Sequence, residues 1–286
     1  MAEFTAADVG KLREMTGAGL MDCKKALTEC KGDLNAAVDY LRKKGGVLAA
    51  KKASRETKEG AIVQHIQPGA KAGVLVEINC ETDFVARNET FGGFSAEVAR
   101  KLASGATIES LEAERVAAVA KIGENIQIPR FVRYEVNGNG MVAAYIHTGA
   151  KVGVLVEVGA GKEGTAAQED FKQLVRDITL QIAAGHPAVI SRDQIPADTL
   201  AKEKEIAAEQ VKNKPPQAIA KIVEGKLEKF YQGCCLLDQG FVKKNSEVSV
   251  KEHMGVIAKQ LGDEIVIRRF ARFQVGDSTS AAAVAA

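Results

Sequence analysis

The chain has 286 residues, of which 46% are hydrophobic and 27% are charged, and this length predicts two or more domains with a substantial core. Lys and Arg number 39 against 37 Asp and Glu, so the formal net charge of +2 argues against nucleic acid as the partner. No stretch reaches the roughly 18 apolar residues of a membrane span, and the first residues lack the apolar core of a signal peptide, so we expect a cytoplasmic protein without membrane contact.

The first 54 residues predict a module of three short helices. Thr5 and Asp8 have the spacing of an N-cap pair, and the glycine pair at 45–46 is expected to end the third helix. Residues 51–60, KKASRETKEG, are charged and nearly free of apolar side chains, which is typical of a linker.

Beyond this linker the chain repeats itself. Residues 66–78, IQPGAKAGVLVEI, match residues 146–158, IHTGAKVGVLVEV, at nine of thirteen positions and an offset of 80 residues. Each copy has a strand before the match, a hairpin turn within it and a helix after it, at roughly 89–104 and 166–184. The pattern predicts two related α+β units, each a sheet packed on a helix.

A helical insertion interrupts the second copy. Residues 196–212 and 217–232 have helical periodicity, and the Pro-containing segment NKPP between them predicts an antiparallel hairpin that projects from the core. Residues 264–275, EIVIRRFARFQV, alternate like a half-buried strand. The predicted parts are therefore a helical module at 1–54, a first core subdomain at 55–140, a second core subdomain at 141–186 and 232–276, the hairpin at 187–231, and a flexible tail at 277–286.

Neither cysteine nor histidine patterns suggest catalysis. The five cysteines are an odd number without a C-x-x-C pair, and the four histidines are scattered, so we expect no disulfide framework, cofactor or metal site. GAGKEG at 159–164 matches a dinucleotide-binding turn, but no alternating βαβ series follows it. Arg268, Arg269 and Arg272 with two phenylalanines could bind RNA, although arginines in water and phenylalanines in the core are the usual alternative.

The segment GVLVEINCETDFVARN, residues 73–88, places an aromatic residue in a polar turn. In the repeat, Phe84 aligns with Gly164, so the fold does not require an aromatic residue there. The residues alone leave two alternatives, an exposed functional side chain or ordinary core.

Several motifs, in the same order along the chain, resemble the bacterial elongation factor Ts family, the guanine nucleotide exchange factors for elongation factor Tu. They are LREMTGAGLMDCKKAL, NCETDFVARN, VAKIGENI, YIHTGAKVGVLVEV and KIVEGKLEKF, and the resemblance spans residues 4 to about 275. It implies a multidomain α+β fold, with a ubiquitin-associated-like first module, a pair of core subdomains and an inserted coiled coil.

The resemblance implies an activity without bond chemistry, so the protein would not be an enzyme. The family binds Tu in its GDP and nucleotide-free forms and releases GDP by disturbing the Mg²⁺ and phosphate site. In this chain the residues that match the Mg²⁺-dislocating motif are Thr82, Asp83, Phe84 and Val85, with Phe84 as a wedge. The residues that match other partner-facing positions are Arg13, Leu20, Met21, Ile122, Gly123, Glu124, Asn125 and His147. Association of two copies of the complex stays open.

Two other classes of function remain as alternatives at this point. A ubiquitin-type adaptor would need only the first module, and a nucleotide-dependent enzyme would need GAGKEG.

Overall fold

The computed structural model describes residues 4–212 and 215–277, and these residues form a mixed α and β structure. The helices are α1 (Ala6–Thr16), α2 (Leu20–Glu29), α3 (Leu34–Lys52), α4 (Asp83–Ala86), α5 (Glu89–Ala103), α6 (Glu112–Ile122), α7 (Glu169–Gly185), α8 (Ala197–Glu209), α9 (Pro216–Cys234) and α10 (Val250–Leu261). The strands are β1 (Glu59–Ile66), β2 (Ala72–Cys80), β3 (Gln127–Glu135), β4 (Gly140–Ile146), β5 (Val152–Ala160) and β6 (Ile265–Gln274).

The predicted helical starts in the first module are confirmed. Thr5 and Asp8 form a reciprocal capping box at the start of α1, and the side chain of Asp33 accepts hydrogen bonds from two backbone N–H groups of α3. A small core that includes Leu12, Cys23 and Leu27 holds α1 and α2 against α3. This core is separate from those of the sheets.

The predicted end of the third helix at residues 45–46 is wrong, because α3 continues to Lys52. A Cβ atom at Gly45 would lie 3.4 Å from Cβ of Ala120, so the missing side chain allows α3 to pack closely against α6. Ala49, one turn further on, belongs to the core beneath the first sheet. Tertiary packing therefore overrides the weak helical propensity of glycine, and the linker predicted at 51–60 shortens to the residues between α3 and β1.

The repeat is confirmed by the registers of two antiparallel sheets, with strand orders β1-β2-β3 and β4-β5-β6. Ile66 pairs with Gly73 in the first sheet, and Ile146 pairs with Gly153 in the second, at the same offset of 80 residues. Alternate residues of β2 and β5 face the helices, and those between them face the other sheet. The molecule's central part therefore has four layers, in the order helices, sheet, sheet, helices.

The third strands also repeat, which the sequence analysis missed. Residues 122–136 and 261–275 are identical at seven of fifteen positions, but their offset is 139 because the helical insertion separates the second pair from its copy. Arg130 and Arg269 are equivalent in this alignment. Each reaches a buried glutamate of its own sheet at 2.7 Å, Glu77 and Glu157 respectively, and each also donates to a backbone carbonyl of the opposite sheet.

The insertion consists of α8 and α9, which contact each other as the sequence predicts. Arg192, just before α8, bonds both Glu228 of α9 and Asp238 beyond it, and so ties the base of the insertion together. Residues 213 and 214 of the predicted NKPP break and residues 278–286 of the predicted tail lie outside the described residues. The coiled-coil and ubiquitin-associated-like assignments stay predictions.

Within residues 4–212 and 215–277, every helix is too short or too polar to cross a membrane.

Candidate functional site

The turn that follows β2 carries the predicted Mg²⁺-dislocating residues. Thr82 caps α4, a single turn of helix, and its hydroxyl accepts a hydrogen bond from the backbone N–H of Val85 at 3.3 Å. Val85 packs against the core below the first sheet. Phe84 instead points outward and is 83% exposed, more than any other large apolar side chain among the described residues. The alternative that Phe84 is ordinary core is therefore wrong.

Glu124 holds this turn from the other end of the first core unit. One oxygen of its carboxylate accepts hydrogen bonds from the backbone N–H groups of Glu81 and Thr82, both at 3.0 Å. Its second oxygen accepts the hydroxyl proton of Thr82 at 2.7 Å. Since Glu124 follows Gly123, the left-handed residue that ends α6, the sequence Gly-Glu places this carboxylate directly against the turn.

A second set of hydrogen bonds joins the same two segments. The backbone N–H of Asn125 donates to the carboxylate of Glu81 at 2.6 Å. The Asn125 amide donates to the carbonyl of Arg55 at 2.8 Å, and the Arg55 guanidinium lies 3.4 Å from Glu81. Asn125 is almost fully buried, so these contacts tie the segment before β1 to the turn. The structure thus brings the predicted residues 82–85 and 122–125 together.

The charges around the turn are arranged in two ways. Asp83 lies 3.1 Å from Arg87 in an exposed pair of adjacent helical turns, which contributes little to stability. Below it, burial raises the pKa of the Cys80 thiol to about 12, with the negative charge of Glu124 as a further cause. Cys80 is therefore neutral at physiological pH and serves as packing beneath the turn.

The predicted positions of the helical module lie beside this site. Leu20 and Met21 start α2 and are 54% and 73% exposed, and the side chain of Arg13 is exposed on α1. A Cβ atom at Gly17, in the turn between α1 and α2, would lie 3.2 Å from Cδ of Lys121 on α6. The start of α2 therefore adjoins the end of α6, where residues 122–125 begin.

His147 belongs to the turn between β4 and β5, in the second sheet. It is exposed, and its Nδ1 atom lies 3.0 Å from the hydroxyl oxygen of Tyr145. Two contacts join this turn to β1: the Ile62 N–H donates to the Ala150 carbonyl at 2.7 Å, and the Lys151 ammonium contacts Glu59. Glu59 pairs with Cys80, the last residue of β2, so the turn of His147 lies at the edge of the sheet from which residues 82–85 continue.

The segment at 159–164 does not form a dinucleotide-binding turn. It follows β5, whose neighbours β4 and β6 both run antiparallel to it, whereas that motif requires a parallel βαβ unit. The N–H of Lys162 donates to the carboxylate of Asp263 at 3.0 Å, so a fixed negative charge lies where a phosphate would bind. The nucleotide-dependent enzyme loses its support.

The arginines of β6 are not available for RNA, and they are not simply in water either. Arg268 and Arg269 both bond the buried carboxylate of Glu157, at 3.0 and 2.7 Å. The guanidinium of Arg269 also stacks on Tyr134 of the first sheet, 4.3 Å from the ring centre. They are contacts between the sheets. No three His, Cys, Asp or Glu side chains among residues 4–212 and 215–277 form a group that could hold a metal ion.

Comparisons with known proteins agree with the motifs. Residues 81–277 match the family model described as Elongation factor TS. Among curated proteins, Elongation factor Ts of Symbiobacterium thermophilum is 45% identical over 97% of this chain and 93% of the relative. Elongation factor Ts of Trichlorobacter lovleyi is 43% identical over 96% of this chain and 93% of the relative. Elongation factor Ts of Nostoc punctiforme is 41% identical over 97% of this chain and 94% of the relative.

Proposed function

The chain belongs to the elongation factor Ts family, and we propose that it binds elongation factor Tu carrying GDP and promotes release of the GDP. It would act in translation in the cytoplasm, without making or breaking a covalent bond. The observation that carries the proposal is the exposed phenyl ring of Phe84, held by Glu124 on a turn that three predicted partner-facing segments surround.

The proposed action is mechanical and electrostatic. Phe84 enters the partner as a wedge, and Asp83 brings a negative charge beside it. Together they displace the Mg²⁺ ion and loosen the phosphate contacts of the partner, because a bound cation dominates the charge of such a site. A thousandfold faster release requires about 4 kcal/mol of barrier reduction, an amount that the loss of a few ion and hydrogen-bond contacts can supply.

Docking is proposed to use the surfaces on either side of the turn. Leu20 and Met21 supply exposed apolar area, and area that becomes buried in a complex carries most of the binding free energy. Arg13, the segment 122–125 and His147 would extend the contact along the same side of the molecule. The ubiquitin-associated-like module would then be a docking element for Tu, and the proposal assigns the coiled-coil insertion no part in exchange.

Thermodynamic linkage gives a test that does not depend on rates. If the chain lowers the affinity of Tu for GDP by some factor, GDP must lower the affinity of Tu for the chain by the same factor. We expect tight binding to nucleotide-free Tu in titration calorimetry and weaker binding as GDP is added, with equal factors from the two directions. Binding to Tu that GDP leaves unchanged would contradict the proposal.

A further inference from the structure

We infer that Glu124 is a positioning residue, whose carboxylate sets the conformation of turn 81–85 so that Phe84 is presented to the partner. This inference rests on the proposed function and changes one part of it. The family resemblance implies that Glu124 faces the partner, whereas the contacts of its carboxylate lie within the chain.

The hydrogen bonds of Glu124 fix both the backbone and the cap of the turn. The backbone N–H groups of Glu81 and Thr82 share one carboxylate oxygen, and the Thr82 hydroxyl donates to the other. Because a carboxylate only accepts hydrogen bonds, the hydroxyl proton must point toward Glu124. A lone pair of the same hydroxyl is then left to accept the N–H of Val85 and cap α4.

The turn needs this support because α4 cannot hold itself. Four residues are far too few for a helix to be stable alone. Val85 and Ala86 pack against the core, but the ring of Phe84 points into solvent. The direction of the ring therefore depends on the backbone of the turn, and the backbone depends on Glu124.

The second copy of the repeat contains the same device without the aromatic side chain. Asp263 follows Gly262, the left-handed residue that ends α10, just as Glu124 follows Gly123. Its carboxylate accepts the N–H of Lys162 at 3.0 Å and the hydroxyl of Thr165 at 2.6 Å. This second turn has Gly164 in place of Phe84, so the carboxylate is part of the scaffold of both turns. Only the first turn adds a side chain that reaches outward.

A double-mutant cycle on GDP release from Tu tests the inference. Glu124→Ala should lower the maximal release rate at saturating protein about tenfold, which corresponds to about 1.4 kcal/mol. Since Glu124 acts through Phe84, adding Glu124→Ala to Phe84→Ala should lower the rate no further. Additive effects would show that Glu124 acts on the partner independently and would overturn the inference.

Glu124→Gln separates geometry from charge. The glutamine oxygen can accept both backbone N–H groups while its amide donates to the Thr82 hydroxyl, so we expect a release rate within about threefold of wild type. Equal defects in the Gln and Ala variants would mean that the negative charge itself acts on Tu, which contradicts the inference. If Glu124→Ala does not fold, Thr82→Val, which removes only the hydroxyl contact, replaces it in the cycle.

Asp263→Ala is the matched control. It removes the equivalent carboxylate from the second copy, so it should lower the melting temperature by a similar amount and leave the maximal release rate per folded molecule unchanged. An equal rate loss in this variant would show that general destabilisation explains the effect of Glu124→Ala, and the inference would fail. If the wild-type protein does not accelerate GDP release at all, the proposed function itself is wrong, whatever the cycle shows.

Discussion

Phe84→Ala separates the part of the turn that acts from the part that folds. The ring is 83% exposed, so its removal should change the free energy of unfolding by no more than about 0.5 kcal/mol. A phenyl ring that becomes fully buried in a complex contributes about 1.5 to 3 kcal/mol. If that amount is felt entirely at the exchange step, GDP release should slow by roughly ten- to a hundredfold.

The assay pairs thermal melting with release of fluorescent GDP from Tu under the same conditions. Phe171→Leu is the control, because Phe171 is fully buried in the second copy, far along the chain from the turn. It should lower stability by about 1 kcal/mol and leave exchange per folded molecule intact. A Phe84→Ala protein that melts at a lower temperature but exchanges at the wild-type rate would refute the wedge.

Three further predictions concern the rest of the molecule. Removal of residues 1–32 and removal of residues 1–54 should both weaken binding to Tu in a titration, but only the longer deletion takes α3 from α6 and should also lower the melting temperature; equal melting would contradict the packing described above. Replacement of residues 196–231 by a short glycine-rich link should leave cooperative unfolding and at least partial exchange, and loss of cooperativity would show the insertion to be core. Burial, and next the charge of Lys244, lowers the pKa of His253, so the unfolded state binds more protons below about pH 6.5 and stability should fall as the pH drops from 7 to 5. His253→Gln should flatten that slope in urea titrations, and an unchanged slope would contradict the assignment.

The sequence predicts those parts of the fold that local chemistry determines. The Thr5 cap, the hairpins of the repeat and the breaks between the first helices depend on residues a few positions apart, and all are confirmed. The end of α3 depends instead on Ala120, about 75 residues further along the chain, which no local pattern contains. The third-strand repeat was detectable, but only by a search that allowed a second offset of 139 residues.

The candidate site was predictable in its residue types and not in its geometry. A phenylalanine in a polar turn fits both core and surface, and only the tertiary structure shows that Val85 packs inward while Phe84 points outward. The role of Glu124 likewise depends on α6 ending beside β2. The second copy offers a hint in its sequence, since Gly-Asp at 262–263 corresponds to Gly-Glu at 123–124 in the third-strand repeat.

The most direct test of the proposed exchange activity is the rate of GDP release from Tu, preloaded with fluorescent GDP and chased with excess unlabelled GDP. The wild-type chain at catalytic amounts should accelerate release by orders of magnitude, with a rate that saturates as its concentration rises. Release at the spontaneous rate in the presence of excess folded protein would contradict the account.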